Sequence, residues 1–278
     1  MRDLSADARL LSLNTITVRE RWGLVDCIEG CIRHGIGGIS PWRDKLAECG
    51  VDEAARRLAD TDLVVTGLCR GGMFPAADAA ARAAALDDNR RAVDDAVAID
   101  AQCVVLVVGG MPEGSRDLAG AREQVRDGIA ALLEYSRPAG MPLAIEPLHP
   151  MYAADRACVN TMAQANDLCD ELGDDGLGIA CDLYHVWWDP ELAAEITRAG
   201  VKRLLAFHVC DWLVPTNDLL LDRGMPGDGV VDIRGIRAMV EAAGYNGFCE
   251  VEILSKRWWE EDPDTVLETL VERHRNVV

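Results

Sequence analysis

Four ionisable side chains interrupt apolar runs in the second half of the chain: Glu146 in Leu-Ala-Ile-Glu-Pro, Asp182 in Ile-Ala-Cys-Asp, His208 in Ala-Phe-His-Val-Cys-Asp, and Glu250 in Cys-Glu-Val-Glu. Taken singly, each reads as a solvated strand end or a paired charge. Four in phase on successive units do not, because three carboxylates and an imidazole gathered away from water are costly unless a cation joins them. The pattern points to a divalent metal with oxygen-rich coordination, Mn²⁺ or else Mg²⁺ or Co²⁺, ahead of structural Zn²⁺. Glu252 shares the strand phase of Glu250 and is the alternative fourth ligand; position along the strand favours Glu250. A cation placed there stabilises negative charge developing on oxygen, which suits removal of a proton α to a carbonyl through an enediolate. Glu146 and Glu250 are then expected to flank the substrate as an acid/base pair as well as ligands.

These residues need strands to carry them. From Leu10 onward, short β-like runs alternate with segments of helical period, each pair occupying roughly 30 residues. Eight strands are expected: Leu11–Thr15, Gly38–Pro41, Val64–Leu68, Cys103–Val108, Pro142–Glu146, Gly178–Cys181, Leu204–Val209 and Phe248–Ile253. Trp22, Val25, Ile28 and Ile32 share one helical face, and Ile233, Ile236, Val240 and Ala243 another. Eight βα units in one chain predict a (β/α)8 TIM barrel, an α/β fold forming a single domain over residues 1–278, with no nucleotide-binding glycine fingerprint. The least regular stretches, Cys69–Ala77, Leu148–Asn160 and Trp212–Val231, all follow strands, and in such a barrel those loops form the catalytic face.

Composition narrows the function. The 278 residues carry 28 Lys+Arg against 47 Asp+Glu, a formal charge of -19. That repels phosphate backbones, so no nucleic-acid partner is expected. The longest apolar runs are too short to span a bilayer and no signal-peptide core opens the chain, so no membrane role and a cytoplasmic location are expected. The ten cysteines show no CxxC pairing and read as buried, reduced thiols.

Together these motifs resemble the divalent-metal sugar isomerases and epimerases of the xylose isomerase-like TIM-barrel superfamily. The resemblance implies a metal held by Glu146, Asp182, His208 and Glu250. The stretch Asp182-Leu-Tyr-His185 is similar to a ketose 3-epimerase motif whose histidine contacts substrate, and Arg223 with Pro226-Gly227-Asp228-Gly229 resembles a loop whose arginine does the same. Tyr152 stands where those epimerases usually carry an acid, and His149 adds an ionisable group near the metal. This departure resembles the α subunits of C-glycoside deglycosidases, which implies an alternative: a lyase cleaving an oxidised glycoside by β-elimination, with His149 as base and a small second subunit as partner. Endonuclease IV-type repair enzymes share the fold but require a basic groove. Five of the seven tryptophans, Trp187 and Trp212 among them, fall on loops after strands and are expected to wall a carbohydrate site. A homo-oligomer is expected. Lys256-Arg257 is the one phosphate-site candidate near the last two strands, and the acidic excess favours a neutral sugar or glycoside.

Overall fold

Small and β-branched residues fill the eight predicted segments, and these pair in parallel as the alternation requires. The computed structural model describes residues 1–173 and 175–278. Its strands are β1 (Leu11–Asn14), β2 (Gly38–Ser40), β3 (Val64–Val65), β4 (Leu68–Gly72), β5 (Val104–Val107), β6 (Leu143–Ile145), β7 (Leu177–Asp182), β8 (Leu204–Val209), β9 (Asp211–Trp212), β10 (Arg223–Gly224) and β11 (Cys249–Val251). Nine of them form one parallel sheet in the order β3-β2-β1-β11-β8-β7-β6-β5-β4. Strands β3 and β4 are two halves of one stave. Thr66 N–H donates to the Ile39 carbonyl and Leu68 N–H to that of Cys103, so the chain changes partner from β2 to β5 and nearly closes the barrel. All eight expected strands are present in a single TIM barrel.

The third stave runs further than the sequence suggests, into the segment Cys69–Ala77 read as loop. The ladder between β4 and β5 slips by one residue between Cys69 and Gly71, so Arg70 is the extra, bulged residue. Asn89, buried on the helix Ala79–Ala98, clamps the end of this stave: its Oδ1 accepts from Gly72 N–H at 2.6 Å and its Nδ2 donates to Gly72 O at 2.7 Å.

The helices cover the outside of the barrel. The helix Ile233–Ala242 buries Ile233, Ile236 and Val240 as its period predicts. The helix Leu24–His34 is rotated from expectation: it buries Leu24, Cys27, Ile28 and Cys31, leaves Ile32 55% exposed, and stops at Gly35, whose φ of +66° is the left-handed cap. Part of the acidic excess caps helices, because Asp78, Asp117, Asp232 and Asp262 accept hydrogen bonds from first-turn backbone N–H groups. The main core lies between barrel and helices. A separate cluster of small side chains, Cys69, Cys103, Val105, Ala144, Ala180 and Ala206, has the opposite strand phase and lines the inside. Nine of the ten cysteines are buried; burial pushes the thiols of Cys27, Cys103, Cys181 and Cys249 up to about 12. No described helix is long and apolar enough to cross a membrane.

Candidate metal centre and substrate pocket

Strands β6, β7, β8 and β11 are neighbours, and their C-terminal ends deliver the ionisable residues to one place. Ligand atoms of Glu146, Asp182, His208 and Glu252 all lie within 4.8 Å of one another, and all four residues are buried. His208 turns Nδ1 toward this group, 3.1 Å from Glu146 Oε1 and 3.9 Å from Glu252 Oε2. Its Nε2 points the other way, 3.4 Å from Glu250 Oε1.

The carboxylate that joins Glu146, Asp182 and His208 in this cluster is that of Glu252, where the sequence favoured Glu250. Both carboxylates share a strand face, but Glu250 pairs in register with His208 and Ser12, a layer deeper in the barrel. There its oxygens accept from Asn14 Nδ2 at 2.8 Å and from Thr66 Oγ1 at 2.7 Å. Glu252, one residue past the end of β11, reaches the mouth. Glu250 thus lies behind the His208 ring, on the side away from the cluster.

Charge in the cluster is lopsided. Among the described residues, Glu146, Asp182, Glu250 and Glu252 meet His208, Arg223 and, at Asp182, His185 within 4.0 Å. The short antiparallel pair β9–β10 brings Arg223 back over the mouth, where its Nη1 donates to Asp182 Oδ2 at 2.8 Å and to Glu252 Oε2 at 2.9 Å. Burial, reinforced by Glu146 and Asp182 and only partly offset by Arg223 and His208, raises the Glu252 carboxyl to about 8. Asp182 is lowered: burial opposes the shift, but Arg223, His185 and His208 outweigh it. Burial likewise opposes the charged form of His208, yet the carboxylates of Glu250, Glu146 and Glu252 hold it well above the ordinary histidine value. Three carboxylates and one imidazole, partly neutralised by a guanidinium that already sits between two of them, fit a divalent cation in number, type and charge.

A pocket opens over the cluster, lined by Glu146, Glu252, His185 and Arg223 together with Trp42, Arg70, Tyr152 and Arg156. His185 is buried and driven down to about 3, mainly by burial, so its ring is neutral. Its Nε2 lies 3.1 Å from Arg223 Nη2.

Residues 25–274 match the family model described as xylose isomerase-like TIM barrel. The chain belongs to the xylose isomerase-like TIM barrel family. Among relatives of this xylose isomerase-like chain, the inosose isomerase of Halalkalibacterium halodurans is 23% identical over 148 residues, covering 51% of this chain and 49% of that protein. The chain thus spans about half the length of the curated relatives it matches. Protein SMc04130 from Sinorhizobium meliloti 1021 has a crystal structure with a TM-score of 0.96 and 56% identity, covering 98% of this chain and 99% of the other. The IOLI protein, crystallised with a zinc atom, shares the fold at a TM-score of 0.81 and 20% identity, over 95% of each chain.

Within this xylose isomerase-like barrel the remaining expected residues divide. His185, Arg223 and Tyr152 line the pocket. The Tyr152 hydroxyl donates to the Leu219 carbonyl, as does that of Tyr184 at 2.8 Å. His149, Trp187 and Trp212 are not lining residues. His149 stacks on Trp212 with ring centroids 5.0 Å apart and meets Trp188 edge-on at 5.7 Å. Its backbone N–H donates to His185 Nδ1 at 3.1 Å, so the loop after β6 braces the histidine that does line the pocket. The sequence reading passed over Trp42, Arg70 and Arg156. Arg70 carried a signal nonetheless, being the one charge directly behind the run ending Leu68-Cys69.

Proposed function

We propose that this chain is a divalent-metal-dependent isomerase or epimerase of a sugar, inositol-type ketone or similar polyhydroxy carbonyl compound. The observation that carries the reading is that Glu146 and Glu252, from staves on either side of β7 and β8, meet in one buried cluster with Asp182 and His208 and open into one pocket. The curated relatives named inosose isomerase support a substrate of this class.

Glu146, Asp182, His208 and Glu252 would hold the cation, which we read as Mn²⁺ with Mg²⁺ or Co²⁺ as substitutes; when bound it supplies positive charge where an oxyanion develops. Glu146 and Glu252 line the pocket and can each take or return the proton at the carbon next to the carbonyl. His185, neutral and buried, offers a ring nitrogen to a substrate hydroxyl. Arg223 offers its donors to the same oxygens and neutralises the two carboxylates it touches. Trp42, Leu148, Leu220 and Leu254 line the apolar part of the pocket and lower the polarity around the reacting carbon.

The test is proton exchange. Purified protein is assayed for bound metal, then incubated in D₂O with inosose and with ketohexoses, and recovered substrate and product are analysed for deuterium at the α carbon. Metal-dependent incorporation is expected in wild type and its loss in Glu146→Gln. Wild-type protein that holds no metal, or product formed with no solvent deuterium, overturns the reading.

A further inference from the structure

The pocket lining also carries two guanidinium groups that no carboxylate pairs with. Among the described residues, Arg70 and Arg156 are the only half-buried lysines or arginines whose side chains make neither a hydrogen bond nor an ion pair. The contrast with the rest of the chain is sharp, since half-buried arginines such as Arg19, Arg43, Arg57 and Arg90 all pair with carboxylates at 3.1 Å or less. In a protein of net charge -19, two unanswered guanidinium groups in one pocket are not the product of a shortage of acids.

Both are built in. Arg70 is the bulged residue of β4, on a stave held by the Cys69 N–H to Pro41 carbonyl bond of 2.9 Å and by the two-way clamp of Asn89 on Gly72. Bulges of this kind re-aim a side chain beside a site. Arg156 is pinned at its backbone from two directions, by its N–H to the Tyr152 carbonyl and by the Gly109 N–H to its own carbonyl, each at 3.0 Å. Its guanidinium lies 5.8 Å from the Tyr152 ring centroid. The two charges oppose each other: burial lowers the pKa of Arg70, and Arg156 lowers it further. Holding like charges half-buried and unpaired costs stability, and such costs are tolerated where an incoming ligand removes them.

We infer that Arg70 and Arg156 form an anion subsite, so that the polyhydroxy carbonyl substrate of this pocket carries a carboxylate or phosphate. The inference rests on the proposed function for the reacting end and departs from the neutral ligand suggested by overall charge. Arg70 and Arg156 then bind and position; proton transfer stays with Glu146 and Glu252. Forked donors on both residues match the paired oxygens of either anion.

The experiment measures binding to metal-loaded wild type, Arg70→Gln and Arg156→Gln by calorimetry, with D-fructose, D-fructose 6-phosphate and 5-keto-D-gluconate as the neutral, phosphorylated and carboxylated probes. In wild type at least one anionic probe binds at least tenfold tighter than D-fructose, and which one does so distinguishes phosphate from carboxylate. Each Gln variant abolishes that preference and leaves D-fructose binding and metal content unchanged. Melting temperature supplies a second readout: relief of an unpaired charge keeps it level or raises it, whereas a structural role lowers it. The subsite is overturned if the three probes bind alike, if none binds, or if the Gln variants keep the preference. Loss of metal or of deuterium exchange in wild type overturns the proposed function instead, and leaves the anion preference to be read on its own.

Discussion

Arg223 and Asp182 meet in the barrel mouth, Nη1 to Oδ2 at 2.8 Å, and the same nitrogen reaches Glu252 Oε2 at 2.9 Å. A side-chain cation therefore already bridges two of the four residues assigned to the metal. Arg223→Met removes that bridge and leaves the buried carboxylates to a metal alone. The chelated variant is expected to be less stable than chelated wild type by about 3 kcal/mol, the usual cost of breaking a buried pair. Its stabilisation by added Mn²⁺ is expected to exceed that of wild type. Thermal unfolding with chelator and with metal measures both; equal metal-induced shifts in the two proteins would show that Arg223 does not share the site.

The two carboxylates at the end of the barrel sequence are expected to separate cleanly. Glu252→Gln weakens metal binding by about tenfold or more, because a ligand is lost. Glu250→Gln retains the metal stoichiometry, since Glu250 is engaged by Asn14 and Thr66 below the site. Its cost falls on stability. Elemental analysis after dialysis decides, and the opposite outcome would return the fourth ligand to Glu250.

The metal effect is expected to depend on pH with a definite sign. Burial and the neighbouring acids raise Glu252 to about 8 in the folded protein, against an unfolded carboxyl near 4.3. A raised acid contributes stability in its protonated form, so the metal-free protein loses stability as pH rises from about 4.3 toward about 8. Binding a cation requires the carboxylate, so metal uptake below about pH 8 releases a proton. The stabilisation given by Mn²⁺ is expected to grow between pH 6 and 8. Calorimetry in buffers of different ionisation enthalpy measures the proton count, and a count of zero at pH 6.5 would remove Glu252 from the ligand set.

Far from the site, His274 on the helix Pro263–Asn276 is buried with no hydrogen-bond partner on either ring nitrogen. Burial first, then Arg237 and Arg275, lowers it to about 4. The folded state refuses a proton that the unfolded chain takes up near 6.5, so this contribution is complete above about 6.5 and declines as pH falls toward about 4, by about 1.4 kcal/mol per unit in that window. His274→Leu is expected to flatten that decline. Chemical denaturation at pH 7 and pH 5 measures it; parallel losses in variant and wild type would assign the acid sensitivity elsewhere.

The sequence by itself determined the barrel, because eight alternations of strand and helix leave few other closed arrangements. It determined that Glu146, Asp182 and His208 converge, because each ends an apolar run on consecutive units and parallel strands end on one side. It could not choose between Glu250 and Glu252, since a period of two gives both the same face. Only the stagger of β11 against β8 and β1, which sets Glu250 opposite His208 and Ser12, decided which carboxylate reaches the mouth and which stays beneath it. The same limit hid the two arginines of the pocket lining. Arg70 and Arg156 are 86 positions apart in the chain, and neither one's lack of a partner is visible until a bulge in β4 and the loop after β6 bring both to the pocket. Local pattern reports the face a side chain takes; the barrel's register and the positions of its charges relative to one another exist only in three dimensions.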